Sequence, residues 1–164
     1  MVLTERLELL PLTVAQLELC ARDMAALTRE MDCVYKGQAV SGFFRDFIDG
    51  QVVKAKNDEE NYIFHSIWFI IRVEDRAVVG SAGFKGAPVN GEVEIGYGLG
   101  ADFEGSGYMA EAVQGICGWA GQNGISCVTA RTENGNAKSE NVLARCGFAV
   151  FGQDDLNKNW RKDT

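Results

Sequence analysis

Two glycines one residue apart, Gly105-Ser106-Gly107, stand between a strand-like run, Glu92 to Leu99, and a stretch of helical periodicity. The first turn of a helix leaves backbone N–H groups unpaired, and the macrodipole adds partial positive charge there. Glycines let a bulky anion approach that backbone, so a phosphate or diphosphate is the natural guest. The same pattern also fits a turn that only packs a helix on a sheet. It is not a P-loop, which needs Gly-Lys-Ser/Thr, nor a GxGxxG fingerprint after a first strand. Other chemistries find less support. His65 is the only histidine and no serine sits in a G-x-S-x-G elbow, so His65 reads as a loop or strand-edge residue. Cys20, Cys33, Cys117, Cys127 and Cys146 form no CxxC pair. They predict no zinc site and no disulfide framework, but reduced, buried thiols in a cytoplasmic protein.

The elements that must position the glycine turn follow from periodicity. Arg6 to Leu9 alternates and stops at Pro11, a short strand. Thr13 can cap a helix carrying Val14, Leu17, Cys20 or Ala21, Met24 and Leu27. A second helix is expected from Ser41 to Lys54, followed by a polar loop from Asn57 to Asn61. Ser66 to Val73 and Ala77 to Phe84 read as a hairpin turned by Glu74-Asp75-Arg76, and Glu92 to Leu99 as a further strand. A helix with Ala110, Val113, Ile116 and Ala120 on one face ends at Gly124. Ile125 to Thr132 is a strand, Ser139 to Arg145 a short helix, and Phe148 to Phe151 a strand. A last strand over Leu156 to Lys162 is optional, because that tail is polar. The order β-α-α-β-β-β-α-β-α-β-(β) predicts a mixed α/β sandwich. Trp68, Trp119 and Trp160 read as packing residues.

The 164 residues fit one domain spanning 1–164, and 46% apolar with 24% charged residues is a globular balance. The net charge of -7 offers no basic stripe to track nucleic acid. The longest apolar run, Ile67 to Ile71, is far short of a bilayer span, and no signal-peptide pattern opens the chain, so no membrane partner is expected.

About thirty residues beyond the glycine turn comes Asn134-Gly135-Asn136-Ala137-Lys138-Ser139-Glu140-Asn141-Val142-Leu143-Ala144-Arg145-Cys146-Gly147-Phe148. With this segment the sequence resembles the GNAT superfamily of acyl-CoA-dependent N-acetyltransferases, in particular its RimJ/RimL-like branch. The branch opens much like Thr4-Glu5-Arg6-Leu7-Glu8-Leu9-Leu10-Pro11-Leu12. Its central motif looks like Glu94-Ile95-Gly96-Tyr97, a glycine-rich turn, and Gly107-Tyr108-x-x-Glu111-Ala112. Its last motif matches Asn136, Ser139, Leu143, Arg145, Gly147 and Phe148. The resemblance covers nearly the whole chain, in order. It implies the GNAT fold, a mixed, mostly antiparallel sheet flanked by helices.

The resemblance further implies an acetyltransferase using acetyl-CoA and no metal. The diphosphate would sit on the amides of Glu104, Gly105, Ser106, Gly107, Tyr108 and Met109. Pantetheine would pair along Leu99, Gly100 and Ala101 like an added strand. That strand would splay from the one beginning at Ile125, with Asn136 near pantetheine and Asn141 on the adenylate side. Two departures from the family pattern stand out. Glu104 and Met109 replace the usual Gln or Arg and the usual Gly or Ala, and Glu104 would repel a diphosphate unless it points away. Leu143 stands where many members carry a tyrosine acid.

The implied reaction is attack of an amine on a thioester, which needs a neutral amine and a protonated leaving thiolate. A free alkyl amine is mostly charged near pH 7, its pKa being about 10.4 in lysine. A carboxylate can remove that proton, directly or through water. Strand alternation puts Glu92, Glu94, Gly96 and Gly98 on one face, where the glycines leave room for a substrate. Glu94 is the expected base or else a plain exposed strand carboxylate, with Glu92 as the substitute base. The Leu99 N–H is a candidate oxyanion donor. Ser139 is a candidate thiolate acid or a helix N-cap. Tyr97 lines the substrate pocket or the core, and Phe43 faces the acceptor or packs inside. Asp46, Asp49, Glu59 and Glu60 form a solvated acidic face, or ring an acceptor mouth. The acceptor is a primary amine, on a protein N-terminus or a small molecule, and a homodimer is possible. The rival readings are a GNAT-like domain that binds CoA or acyl-CoA without turnover, and an unrelated nucleotide binder using the glycine turn.

Overall fold

The computed structural model describes residues 1–164. Nine strands form one sheet: β1 (Val2–Leu3), β2 (Leu7–Pro11), β3 (Val34–Tyr35), β4 (Trp68–Arg72), β5 (Ala77–Phe84), β6 (Glu92–Leu99), β7 (Cys127–Glu133), β8 (Ala149–Gln153) and β9 (Asn157–Asp163). Their order is β1-β2-β4-β5-β6-β7-β9-β8, with β3 beside β5. Only β6 with β7 and β3 with β5 are parallel. Six helices flank it: α1 (Val14–Arg22), α2 (Met24–Glu30), α3 (Gly42–Asn57), α4 (Tyr62–His65), α5 (Tyr108–Gln122) and α6 (Ala137–Arg145). The sheet is open and mostly antiparallel, as the resemblance implies. No helix is long and apolar enough to cross a membrane.

The single helix expected over Val14 to Leu27 is two. Thr13 and Gln16 form a reciprocal capping box at the start of α1. Asp23 then takes φ -150°, which ends α1, and its carboxylate accepts from the Ala26 amide at 2.9 Å, which starts α2. The polar tail is not optional. β9 pairs with β7 over seven residues and lies between β7 and β8. Its one buried side chain, Trp160, donates from its indole to Thr132 at 3.0 Å, so a strand with a single apolar anchor still occupies an interior position. His65 is a buried residue of α4, where its Nε2 meets Asp58 at 3.0 Å.

Two apolar layers sit on the two faces of the sheet. One, beneath α5, gathers Leu7, Leu9, Val93, Ile95, Ala112, Ile116, Val128 and Phe148. Phe64, Trp68, Phe84 and Trp119 cluster within it at centroid separations of 5.0–6.3 Å. The other, beneath α1 and α3, gathers Leu12, Leu17, Ile48, Phe69 and Ile71. The β6 alternation follows this division: Val93 and Ile95 are buried under α5, and Tyr97 and Leu99 pack against the same layer.

Candidate active site

The site begins where the β6–β7 ladder stops. The two strands pair in register only from Glu92↔Cys127 to Ile95↔Ala130. Beyond that point β6 stays bound to β5 as far as Leu99, and β7 stays bound to β9 as far as Glu133. The strands therefore diverge and leave a slot. Antiparallel ladders alternate bonded and non-bonded pairs. The Lys85 amide donates to the Glu94 carbonyl and the Gly100 amide to the Val79 carbonyl. That phase assigns the even β6 positions to β5 and turns the N–H and C=O of Tyr97 and Leu99 toward the slot. Ala101 offers no such edge, because it opens a 3-10 turn over Ala101–Phe103. This corrects the extended pairing expected through Gly100 and Ala101. Gly100 is buried, with its amide already spent on Val79.

The slot opens into a cleft of about 730 Å³ between β6, α5 and α6. Of the residues singled out from the sequence, Tyr97, Leu99, Glu104, Gly105, Gly107, Tyr108, Met109, Asn136, Ser139 and Asn141 line it. Gly100, Ala101, Ser106, Phe43, Glu92 and Glu94 do not; Phe43 stands 87% exposed on α3, and it, Glu92 and Glu94 also miss the smaller cavity described below. Gln38, Lys138 and Arg145 line the cleft and were not anticipated. Gln38 has no local motif. It reaches the site because Gly98 lacks a side chain: a Cβ there would lie 2.5 Å from the Gln38 amide oxygen.

At the head of α5, Gly105 and Gly107 adopt φ of +77° and +83°. These left-handed residues turn successive amides to one side, a nest for an anion. No side chain caps the helix. The amides of Gly105 through Ala110 donate to no protein acceptor, whereas that of Glu104 is spent on the Ala101 carbonyl. The open set is thus shifted one residue onward from that expected. Glu104 forms an ion pair with Lys138 of α6, and this pair answers the repulsion expected of Glu104. Met109 is buried and packs into the α5 layer.

The loop is tied from behind. The Glu111 carboxylate accepts from the Thr4 hydroxyl at 2.6 Å, the Arg6 amide at 2.8 Å and the Arg6 guanidinium at 2.7–2.8 Å. Arg6 also donates to the Ser106 carbonyl at 3.0 Å and lies 4.5 Å over the Tyr108 ring. Burial alone would raise the Glu111 carboxyl, but the Thr4 and Arg6 bonds hold it below the usual carboxylate range. The pairing of Thr4 and Arg6 with Glu111, 105 residues apart in the latter case, is not legible in a sequence, though all three fall inside the motifs that carry the resemblance.

A smaller cavity, about 290 Å³, lies between the diverging strands and is lined by Lys85, Gly96, Tyr97, Arg131, Asn136 and Ser139 among others. Tyr97, Asn136 and Ser139 border both cavities, so they stand at the junction. Asn136, not Ser139, caps α6: its side-chain oxygen accepts from the Ser139 amide at 3.2 Å. The Ser139 hydroxyl makes no protein hydrogen bond, and its carbonyl accepts from the Tyr97 hydroxyl at 3.3 Å. Burial pushes the Tyr97 hydroxyl above its ordinary range, so it remains a donor. Glu94 and Lys85 form an ion pair across the β5–β6 edge, with both side chains about two-fifths exposed. Burial pushes the Cys20 and Cys117 thiols up to about 12, which leaves them inert at neutral pH.

Comparison with known proteins fits this geometry. A segment of 95 residues is 34% identical to an uncharacterized N-acetyltransferase, YjdG, of Bacillus subtilis (strain 168). The match spans 57% of this chain and 56% of that protein, so the chain spans about half the length of the curated relative it matches. Among solved structures, the ribosomal-protein-S5-alanine acetyltransferase of Vibrio fischeri superposes with a TM-score of 0.69 at 16% identity, covering 98% of this chain and 94% of that one. RimL, a ribosomal L7/L12 alpha-N-protein acetyltransferase solved with coenzyme A, gives 0.67 at 16% identity, covering 98% and 95%. At such identities the structures establish a shared fold. The profile of the acetyltransferase (GNAT) domain matches residues 6–149, and the chain belongs to the GNAT acetyltransferase family.

Proposed function

We propose that the chain, acting as a single domain over 1–164, transfers an acetyl group from acetyl-CoA to a primary amine, either a protein N-terminal α-amine or a small-molecule amine. One observation carries this: uncapped amides at the head of α5 open into the same cleft as the unpaired edge of β6. The fit to CoA rests on the residues themselves. The Gly105–Gly107 nest suits a diphosphate, and a Cβ built on Gly105 would meet nothing within 4 Å, so the approach is open. The free N–H and C=O of Leu99 and Tyr97 suit the amides of a pantetheine arm. The bound group supplies an acyl thioester.

The chain's own residues supply the rest. Glu94, on the β6 face opposite the α5 layer, takes the proton from the acceptor ammonium. The Leu99 N–H stabilises negative charge on the carbonyl oxygen. The Ser139 hydroxyl, free of the capping role, gives its proton to the departing sulfur. Met109 and Leu143, where the family pattern has other residues, are both buried and supply packing.

The test is thiol release from acetyl-CoA with a panel of small amines and N-terminal peptides. Release that depends on an amine is expected. CoA binding by calorimetry with no release from any acceptor would replace the enzyme with a CoA-holding module. ATP binding as tight as CoA would favour a nucleotide binder.

A further inference from the structure

The geometry points to Lys85 as an internal acceptor: its side-chain amine holds the acceptor's place against Glu94 and is itself acetylated from acetyl-CoA. This inference rests on the acetyltransferase reading given above. Lys85 follows β5 directly, and its amide donates to the Glu94 carbonyl at 2.8 Å, which fixes its root opposite the proposed base. Its side chain runs over Gly96, where a Cβ would lie 3.5 Å from the Lys85 Cε. Its ammonium ends on the Glu94 carboxylate. Of the residues lining the cavity between the split strands, Lys85 alone carries a primary amine. That cavity shares Tyr97, Asn136 and Ser139 with the large cleft, so the cavity that Lys85 lines and the proposed thioester site adjoin at those three side chains.

An external ammonium must displace this one to reach Glu94. When none does, the same chemistry applies to Lys85. Glu94 takes one proton from the ammonium. The Nζ–acyl carbon bond forms and the carbon–sulfur bond breaks; the Ser139 hydroxyl gives its proton to the sulfur and regains one from the now cationic nitrogen, so CoA leaves as the thiol and Glu94 releases the first proton to solvent. The product is an uncharged amide, which no longer pairs with Glu94. The other amines stand differently: Lys138 lines the large cleft but pairs with Glu104 and not with Glu94, Lys54 donates to a backbone carbonyl, and Lys158 of β9 pairs with Glu140 of α6.

The experiment incubates the full chain with acetyl-CoA and no added amine, then maps acetylation by peptide mass spectrometry over time. Acetylation is expected first at Lys85, ahead of Lys138, Lys54 and Lys158, at a rate independent of protein concentration, and Lys138 labelled first overturns the proposal. Glu94→Gln should slow it by roughly a hundredfold or more, and an accepted amine should protect Lys85. Lys85→Arg keeps the charge, and its melting temperature reports whether it folds; it should show no comparable early modification. Uniform labelling of surface lysines, or an unchanged rate in Glu94→Gln, overturns the proposal. Turnover of an external amine, with Lys85 left unmodified when that amine is omitted, overturns it while sparing the acetyltransferase reading. Absence of both external turnover and Lys85 labelling overturns the two together.

Discussion

Asn136 and Ser139 border both cavities at the start of α6, whereas Glu94 lies on β6 against Lys85, and the structure separates their duties. Asn136 is spent on capping α6, so Asn136→Ala should cost about 1 kcal/mol of stability, read from denaturant midpoints. Ser139 lies at the third helical position with its hydroxyl uncommitted. Ser139→Ala should leave the melting temperature unchanged and lower kcat; a lower melting temperature with normal kcat would return Ser139 to a structural role. Glu94→Gln removes the proposed base while keeping shape and most polarity. Its kcat should fall roughly a hundredfold or more, with acetyl-CoA binding by calorimetry near that of the parent chain. An unchanged kcat across the pH range would remove Glu94 from the mechanism. Alternation along β6 puts Glu94 on the face away from the α5 layer, but it does not place the carboxylate in either cavity. Nor does it give the ion pair with Lys85, because that depends on the register of β5 against β6 across a loop.

At the scale of elements, the turn between β6 and α5 is held by its own glycines in front and by β2 behind. Gly107 has φ of +83°, and a Cβ there would meet only the Arg6 guanidinium, at 3.5 Å. Gly107→Ala should therefore cost about 1–2 kcal/mol through backbone conformation, not crowding. It should also weaken CoA binding, since the amides are re-aimed; an unaltered Kd would detach the nest from the diphosphate. Behind the turn, Glu111 is depressed below the usual carboxylate range by Thr4 and Arg6 against the opposing pull of burial. A depressed folded value contributes stability that is fully present above the unfolded pKa, about 4.3, and lost as pH falls through the folded one. Melting temperatures of the parent chain and Glu111→Gln should thus converge on acidification below about pH 4. The glycine turn, the β6 alternation and the α5 stripe were legible because each is local. The break at Asp23 was also local, and an Asp three residues before Ala26 is an ordinary capping signal that the apolar spacing of Val14 to Leu27 obscured. By contrast, the arrival of Gln38 over Gly98, and the latch from Arg6 to Glu111, are set by how distant elements meet. Composition misleads for β9: Trp160 alone anchors a strand whose neighbours on both sides supply the pairing.

Across the whole molecule, the slot that makes the site also interrupts the sheet. Only four residue pairs, Glu92↔Cys127 to Ile95↔Ala130, join the β1–β6 side to the β7–β9–β8 side. Were that ladder the sole connection, the two sides would melt independently. The α5 layer prevents this, because it draws on Leu7 and Leu9 from β2, Val93 and Ile95 from β6, Val128 and Ala130 from β7, and Trp160 from β9. A continuous apolar core beneath a split ladder ties the fate of both sides together. Residues 1–164 should consequently unfold in one transition, with coincident fluorescence and circular dichroism curves. CoA bound across the slot touches β6, α5 and α6 at once, so it should raise that single transition without splitting it. At a hundredfold excess over Kd the gain is about 2.7 kcal/mol, or roughly 5–10 °C for a chain of this size. Two separated transitions, or a CoA-induced shift confined to one probe, would show instead that the strands on either side of the slot are independent bodies and that the cleft is closed only by the ligand.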